Sequence, residues 1–288
     1  MLHVPFYYLP PGAPAQSVVT IYDVRFTRLP NTYPRGRAAF LRVAVPWSLR
    51  RARHVIAISE FTKREIVETL RIPEEKITVT PLAPRAAFRP VDDAHIFNGV
   101  RSRYRLPERF ILCVGTLAPY KNLARVIEAF ARLRRTGLPH HLVLAGFAYF
   151  GAAAVLDAIT RLGLSALVHR IGYVTDDDLP ALYSLADLFV YPSLYEGFGI
   201  PLLEAMACGT PVVASGVTSI PEVVGSAALL VDARDVGALA DTMVAVLGQK
   251  ETAARLRAAG LAQVKQFSWD TTARQTLAVY DAVASGRV

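Results

Sequence analysis

Short apolar runs alternate with amphipathic stretches along most of the chain. Each run is rich in β-branched residues and spans four to six positions, a length and composition typical of strands buried on both faces of a parallel sheet. The predicted strands are Ser17–Tyr22, His54–Ile58, Ile77–Thr80, Phe110–Val114, His141–Ala145, Val168–Ile171, Leu188–Tyr191, Pro211–Ala214 and Ala228–Val231.

Helical periodicity fills most of the intervening segments. In Asn122–Arg134, Leu123, Val126, Ile127 and Phe130 recur at positions i, i+3, i+4 and i+7, which places them on one helix face. Further helices are predicted over Glu60–Leu70, Ala152–Leu162, Leu179–Ala186, Val236–Leu247, Glu251–Gln266 and from about Trp269 to Val283. The alternation of strand and helix predicts an α/β fold with doubly wound parallel sheets.

The segment Pro84–Arg109 interrupts this alternation, since it is rich in proline and charge and its helical pattern is weak. We interpret it as a linker between two α/β units. Three predicted strands precede the linker and six follow it, so the first unit is expected to be incomplete. The predicted domains are residues 1–107, including the linker, and residues 108–288, whose last helix is a candidate for packing back on the N-terminal part.

Positive charge is concentrated in the first part of the chain. Residues 1–110 carry 18 Lys and Arg against 9 Asp and Glu, whereas the remainder carries 14 against 15. The densest block contains Arg25, Arg28, Arg35, Arg37, Arg42, Arg50, Arg51 and Arg53, with Asp23 as its one acidic residue. Two interpretations stay open: a solvated surface, or a surface that attracts anionic lipid or an acidic substrate. No nucleic-acid-binding motif is present, so nucleic acid is not an expected partner.

The chain has no apolar run near the ~20 residues that a membrane span needs, and its first ten residues do not resemble a signal peptide. Its two cysteines, Cys113 and Cys208, lie among apolar or small residues and are predicted to be buried free thiols. A cytoplasmic location is therefore expected. The Arg-rich block adds the expectation of peripheral contact with the inner face of the membrane. The acidic run Asp176–Asp178 is interpreted as a helix start and the pair His140–His141 as the lead-in to a strand, rather than as metal sites.

Two strand-to-helix turns carry chemistry suited to a phosphorylated ligand. In the first, Gly115 allows a sharp turn, Thr116 supplies a hydroxyl, and Lys121 places a cation beside a helix N-terminus, where free N–H groups already favour an anion. An ordinary turn with a solvated lysine is the alternative for this segment.

The second turn follows the strand that ends at Tyr191. Gly197 and Gly199 expose backbone N–H groups in a loop flanked by Glu196 and Glu204, whose ionised carboxylates accept hydrogen bonds and suit sugar hydroxyls. The alternative is that Glu196 is a surface charge and that Glu204 caps a helix or pairs locally. Because two carboxylates flank one glycine loop, we favour a ligand site here.

These segments resemble the retaining glycosyltransferases of the GT-B fold, family 4. The Glu-x7-Glu element of that family matches Glu196 and Glu204, and the surrounding residues 191–215 are similar nearly residue for residue. The similarity includes Val114-Gly115-Thr116, Lys121-Asn122, Val55-Ile56-Ala57-Ile58-Ser59-Glu60 and Ile220-Pro221-Glu222-Val223, and is strongest over residues 110–231.

The resemblance implies two Rossmann-like units and transfer of a sugar, with retention, from a nucleotide-diphosphate sugar (GDP- or UDP-linked) to a glycan or lipid-linked acceptor of the cell envelope. No metal is obligatory, because cations and helix dipoles stabilise the leaving diphosphate. The implied roles are catalysis by Glu196 and Lys121; donor binding by Gly115, Thr116, Lys121, Tyr173, Val174, Glu196, Gly197, Phe198, Gly199, Ile200 and Glu204; and an acceptor side with Tyr22, Asp23 and Ser59. Within the donor set, Glu204 would bind the ribose, Glu196 the sugar, and Tyr173-Val174 the base.

Three departures from the family pattern qualify this expectation. Tyr120 replaces a common Arg before the phosphate lysine, and Tyr22 replaces a common His before Asp23. The usual first strands and Gly-rich loop of the N-terminal domain are absent, which predicts an N-terminal truncation or a reduced acceptor half. The alternatives to a transferase are a non-catalytic nucleotide-sugar-binding remnant and, more weakly, a sugar-nucleotide epimerase.

Overall fold

The computed structural model describes residues 1–34, 36–149 and 151–288. Contacts divide them into two compact units, Met1–Ala83 with Glu196–Gly199 and Phe267–Val288, and Pro84–Tyr195 with Ile200–Gln266. We call these the first and the second unit. The division into domains 1–107 and 108–288 stays a prediction.

Strands and helices alternate through both units. The strands are β1 Leu2–Val4, β2 Ser17–Ile21, β3 His54–Ala57, β4 Ile77–Val79, β5 Phe110–Val114, β6 His141–Ala145, β7 Val168–Gly172, β8 Leu188–Tyr191, β9 Val212–Ser215 and β10 Leu229–Val231. The helices are α1 Arg25–Arg28, α2 Arg37–Arg51, α3 Glu60–Leu70, α4 Ala94–Tyr104, α5 Leu123–Arg134, α6 Ala153–Arg161, α7 Leu179–Leu185, α8 Ile200–Ala207, α9 Ile220–Val224, α10 Val236–Gly248, α11 Lys250–Val264 and α12 Trp269–Ala284. Short 3-10 helices cover Pro30–Thr32, Glu74–Lys76 and Pro119–Lys121.

The nine predicted strands are all present, with ends that differ from the prediction by one residue at most. The predicted helices are also present. Elements that periodicity missed are β1, α1, α2, α4, α8 and α9, of which α8 was expected only as the helix that follows the second turn. The segment Pro84–Arg109, whose helical pattern is weak in the sequence, contains α4, and the Asp93 carboxylate caps the N-terminus of that helix. Its role as a linker stays a prediction.

The first unit is built on a four-stranded parallel sheet in the order β1-β2-β3-β4. Its core includes Val19, Ile21, Val55 and Ile66. On the opposite side of β2 and β3, the side chains of Val18 and Ile56 pack with two valines of α12. The last helix of the chain therefore belongs to the N-terminal sheet.

The second unit is built on a six-stranded parallel sheet in the order β10-β9-β8-β5-β6-β7. From β5 the chain runs outward to β7, then returns to β8 on the other side of β5 and runs outward again to β10. The chain therefore reverses direction across the sheet between β5 and β8, and in open parallel sheets ligands bind outside the carboxyl ends of strands at such a switch point. Both turns singled out in the sequence follow these two strands.

Two apolar layers cover the second sheet, and each uses alternate residues of the same strands. Ile111 and Leu142 face the layer formed with α5, α6 and α10, whereas Leu112 and Val143 face the layer formed with α7 and α8. This two-sided burial accounts for the continuous apolar runs in the sequence. Cys113 and Cys208 are buried free thiols, as predicted.

Candidate functional site

The turn after β5 brings two glycines into direct contact at the switch point. Gly115 has a φ of +140°, and its N–H donates to the Ala145 carbonyl at 2.9 Å. A Cβ on Gly146, which follows the neighbouring strand, would lie 2.1 Å from the carbonyl oxygen of Gly115. Both positions therefore require glycine, Gly115 because of its positive φ and Gly146 because it packs on the Gly115 carbonyl.

Lys121 lies across this glycine turn. Its side chain passes over Gly115, where a Cβ would meet Lys121 Cε at 3.5 Å. Its Nζ donates to the Tyr191 hydroxyl at 2.7 Å and lies 4.7 Å from the centroid of that ring. Residue Tyr120, at the position of the family's arginine, places its ring centroid 5.3 Å from the same Nζ. The cation is thus held at the ends of β5 and β8, beside the N-terminus of α5.

Asn122 has a structural role that the sequence reasoning did not assign. It is buried, has a φ of +59°, and forms the residue immediately before α5. Its Nδ2 donates to the carbonyls of Pro192 at 3.1 Å and Ala233 at 2.7 Å, and its Oδ1 accepts from Arg125 at 2.8 Å. One amide therefore fixes the turn that carries Lys121 to the loop after β8. The pairing of Lys121 with Asn122 in the sequence was the available signal.

A cleft of about 220 Å³ opens at the carboxyl ends of β5, β6 and β7. Gly115, Thr116, Tyr173 and Val174 line this cleft, and all four are residues predicted to bind the donor. Its wall also includes Phe147, which the sequence reasoning missed. The rings of Phe147 and Tyr173 stack at 5.2 Å with an interplanar angle of 7°, and both remain more than half exposed.

The signal that could have identified Phe147 is its position. It lies two residues after β6, at the carboxyl end of the sheet, where an apolar strand has already ended. A large exposed aromatic side chain at the carboxyl end of a sheet has no role in the core, which makes Phe147 a candidate residue for ligand binding.

Glu204 lies on α8 in the second unit. Its Oε2 accepts a hydrogen bond from the buried Tyr183 hydroxyl at 3.0 Å. Burial raises the pKa of Glu204 above its ordinary value, although the Tyr183 hydrogen bond and the positive charge of Arg85 act in the opposite direction. Burial and the adjacent carboxylate likewise raise the pKa of Tyr183, which stays a donor. Glu204 is thus a half-buried acceptor with one oxygen already bonded.

The segment Glu196–Gly199 lies in the first unit, where its backbone is fixed by the N-terminus of α3. The Gly197 carbonyl accepts from Ser59 Oγ at 2.6 Å and from Thr62 Oγ1 at 3.1 Å. A Cβ on Gly197 would lie 1.7 Å from the carbonyl oxygen of Tyr22. Close packing against Tyr22, rather than an approaching ligand, therefore accounts for glycine at this position.

The rest of that segment is equally constrained. Phe198 is buried and contacts the Phe267 ring edge-to-face at 5.8 Å, and Gly199 has a φ of +101°. Glu196 is half-buried, as is Ile200 at the start of α8. The structure thus brings Tyr22 and Ser59 to the predicted sugar-binding loop.

Asp23 is hydrogen-bonded to the backbone next to it in the first unit, where its Oδ1 accepts from the Arg25 N–H at 2.9 Å. It also accepts a hydrogen bond from the Tyr7 hydroxyl, whose pKa is raised by burial and by the Asp23 charge. The adjacent Tyr22 ring lies 6.4 Å from that of Phe6. The predicted acceptor-side residues therefore lie at the carboxyl ends of two neighbouring strands, β2 and β3, of the N-terminal sheet.

The acidic run before α7 is occupied by protein contacts. Asp178 pairs with Arg103 and accepts from Tyr104 at 2.8 Å, while Asp176 pairs with Arg85 at 2.8 Å. Burial opposes ionisation of Asp178, but the hydrogen bonds from Arg103, Tyr104 and Thr175 outweigh it and lower its pKa. Within residues 1–34, 36–149 and 151–288, no group of three or more His, Cys, Asp or Glu side chains has metal-ligand geometry.

The histidine pair also contacts neighbouring protein groups. His140 is buried, with its Nε2 3.6 Å from Asp187, and burial lowers its pKa. His141 Nδ1 lies 2.8 Å from His169 Nε2 on the neighbouring strand. The two histidines thus lie at the start of β6, which agrees with their interpretation as the lead-in to a strand.

The sequence profile of the family glycosyl transferases group 1 matches residues 101–263, more than half of the chain. The chain belongs to this family. A second profile, Glycosyltransferase Family 4, matches residues 3–83, which contain all of the first sheet except Leu2.

Curated relatives extend the match over nearly the whole chain. The O-antigen chain mannosyltransferase B of Escherichia coli is 36% identical over 280 residues, covering 96% of this chain and 73% of that protein. The MMP alpha-(1->4)-mannosyltransferase of Mycolicibacterium hassiacum is 33% identical over 81% of this chain and 54% of its own length. The serotype-specific mannosyltransferase WbdA of Escherichia coli is 36% identical, but the chain covers only 28% of it.

Solved structures agree on the fold. Sucrose-phosphate synthase from Thermosynechococcus elongatus superposes with a TM-score of 0.78 at 24% identity, over 94% of this chain and 68% of that chain. Anabaena HepE, solved in complex with UDP and glucose, gives a TM-score of 0.79 at 24% identity, over 93% and 72%. The fold is the GT-B type that the sequence predicted, and the family makes the chain a glycosyltransferase.

Proposed function

We propose that this chain transfers a mannosyl group from a nucleotide-diphosphate sugar to a growing cell-envelope glycan, with retention of the anomeric configuration. The single observation that supports it most is the switch point of the second sheet, where Lys121, the glycine turn and an aromatic cleft converge. The names of both curated relatives support mannose as the sugar. The name of the O-antigen chain mannosyltransferase supports a cell-envelope glycan as the acceptor.

Lys121 is proposed to bind the diphosphate and to stabilise the charge that develops on it as the sugar departs. Its ammonium lies beside the N-terminus of α5, where the free N–H groups of the first turn add positive potential. Thr116 and the backbone of Gly115 complete the phosphate side. Groups fixed before the reaction stabilise a leaving anion without reorganising, which is the largest contribution available to a transferase that holds no obligatory metal.

The nucleoside is proposed to occupy the cleft at the ends of β5, β6 and β7. The base would lie against Tyr173 and Val174, and the ribose hydroxyls would donate to the free Glu204 oxygen. Anabaena HepE was solved with UDP, which supports a nucleoside diphosphate in this fold. Whether the base is uracil or guanine is decided by the donor panel below.

The sugar is proposed to bind the loop after β8. Glu196 would accept from its hydroxyls, and the backbone N–H groups of Gly197, Phe198, Gly199 and Ile200 would contact the sugar or the β-phosphate. Tyr22 and Asp23 would face the acceptor. Ser59 is proposed to act by positioning, since its hydroxyl is engaged with the Gly197 carbonyl.

The central experiment measures turnover of GDP-mannose, UDP-glucose and other nucleotide sugars by the wild type and by Lys121→Ala. Loss of a positioned cation is expected to lower kcat/KM by about 10²-fold or more. The matched control is Lys265→Ala, because Lys265 is exposed and lies after α11. A wild type that turns over donor, with Lys121→Ala equally active, would refute the assignment.

A second experiment separates the proposal from its alternative. Glu196→Ala is expected to lose transfer while retaining nucleoside diphosphate binding, with exposed Glu251→Ala as its control. Nuclear magnetic resonance of the product anomer tests retention. Donor binding by the wild type without transfer to any glycan acceptor would indicate a binding module instead of an enzyme.

The proposal also includes peripheral contact of the Arg-rich N-terminal part with the cytoplasmic face of a membrane, where lipid-linked acceptors are presented. Arg35, one member of that block, lies outside the described residues. Among the described residues, no helix has both the length and the apolar character to cross a bilayer.

A further inference from the structure

Helix α2 exposes a stripe of large apolar side chains that the fold does not use. Phe40, Val43 and Trp47 recur at i, i+3 and i+7, and their exposed fractions are 53%, 73% and 46%. We call these three residues the α2 stripe. They lie opposite Leu41 and Val45, which are buried in the core of the first unit. The helix is therefore anchored to the protein by one apolar face and presents a second one to the solvent.

Arginines border the α2 stripe on both sides of the helix. At 100° per residue, Arg50 lies on one edge of the stripe and Arg51 on the other, with Arg42 and Arg37 beyond them. All four are exposed, and among the described residues none of them pairs with a carboxylate. No Asp or Glu occurs in the sequence between Asp23 and Glu60. The surface around the stripe is consequently positive without local compensation.

An aromatic side chain from a neighbouring loop extends the apolar surface. Tyr8 contacts Phe40 edge-to-face at 5.3 Å and is itself exposed. The Arg51 Cζ lies 5.7 Å from the centroid of the Trp47 ring, and its guanidinium donates to the Ala13 carbonyl at 3.4 Å. Adjacent exposed apolar groups of this size mark an interaction surface.

We propose that the α2 stripe inserts into the headgroup region of an anionic membrane while its flanking arginines bind the lipid phosphates. The proposal rests on the peripheral contact proposed above and names its surface. An apolar stripe with Trp and Phe at its centre and Arg at its edges is the pattern of helices that lie in the plane of a bilayer interface. A second copy of this chain fits poorly, because a two-fold contact would place the same uncompensated arginines against each other.

The test uses the fact that the chain contains two tryptophans, Trp47 and Trp269, both exposed. In Trp269→Phe the emission reports Trp47 alone, and in Trp47→Phe it reports Trp269 alone. With vesicles of phosphatidylcholine containing phosphatidylglycerol, we expect the emission of Trp47 to shift to shorter wavelength and to be quenched by brominated lipid. Trp269 should not respond.

Charge and apolar contributions are separated by matched variants. Arg42→Gln with Arg50→Gln is expected to weaken binding to these vesicles about 25-fold, from about fivefold for each arginine at an anionic surface. Arg255→Gln with Arg274→Gln, two exposed arginines elsewhere, serves as the control. Val43→Ser should also weaken binding, whereas Leu277→Ser, a change at an exposed apolar residue of α12, should not.

Three results would overturn the proposal: an unchanged Trp47 emission with anionic vesicles, equal binding to pure phosphatidylcholine, or a Trp47 shift that follows protein concentration without vesicles. The last would identify a second copy as the occupant. Transfer to a soluble acceptor is measured in parallel and should be unchanged in the α2 variants. If vesicles bind but no variant or wild type transfers sugar, the proposed function fails while this surface stands.

Discussion

The amide of Asn122 offers a sharp test of how the phosphate turn is held. Asn122→Ala removes the donor that satisfies the buried carbonyls of Pro192 and Ala233, and it places a Cβ-bearing residue without a local hydrogen bond at a φ of +59°. Asn tolerates this left-handed conformation better than Ala because its side chain bonds locally.

The expected cost follows from these contacts. Each buried carbonyl that loses its donor costs about 1–2 kcal/mol, and the left-handed backbone costs about 1 kcal/mol for Ala, so the unfolding free energy should fall by about 3–5 kcal/mol. Asn122→Gly relieves the backbone strain but loses the same hydrogen bonds. Its stability should therefore fall between those of the wild type and the Ala variant.

Urea denaturation followed by far-UV circular dichroism measures these differences. The matched control is Asn98→Ala, since Asn98 is exposed within α4 and Ala favours a helix interior; its effect should be within about 0.5 kcal/mol. If Asn122→Ala lies within 1 kcal/mol of the wild type, the amide does not hold the turn and the reasoning fails. Nucleotide-sugar turnover should decrease in parallel, because Lys121 depends on the same turn.

Three further outcomes follow from the second unit. Phe147→Ala should weaken nucleoside diphosphate binding in calorimetry by about 1–3 kcal/mol, the usual worth of a base stacked on an aromatic ring, while Tyr173→Phe, which keeps its ring, should bind normally. Gly146→Ala should lower the urea midpoint far more than Gly163→Ala, because both have a positive φ but only Gly146 faces a carbonyl oxygen at 2.1 Å. Glu204→Gln should raise the unfolding free energy at pH 7, since burial raises the Glu204 pKa above its ordinary 4.5 and so penalises the ionised folded state. That gain should disappear as the pH falls below 4.5, where Glu is protonated in both states, and donor affinity should fall; a gain that persists at low pH would contradict this origin.

Local patterning was sufficient for most elements of the fold. The apolar runs of β5, β6 and β8 specified both ends of each strand, because a strand buried on two faces has no polar interior position. Helix α5 was equally clear, since one face of it is buried and the other is solvated.

Elements were missed where burial did not follow one period. Helix α2 carries apolar residues on its buried face, Leu41 and Val45, and on its exposed face, Phe40 and Val43, so no single stripe emerges from the sequence. Helix α4 buries Val100 as its one fully buried residue and depends on the Asp93 cap, so its apolar signal is weak.

The sequence by itself determined the class of fold, the family, and the two turns whose residue types suit a phosphorylated sugar donor. These properties depend on local composition and spacing, and they do not depend on which distant residues come into contact. Tertiary structure alone decided what those residues contact: that Gly197 is glycine because it packs on the Tyr22 carbonyl, that Asn122 links two distant loops, and that Phe147 joins Tyr173 in one cleft. Each of these contacts joins residues separated by tens of positions or more, and only the strand order of the folded sheets brings them together.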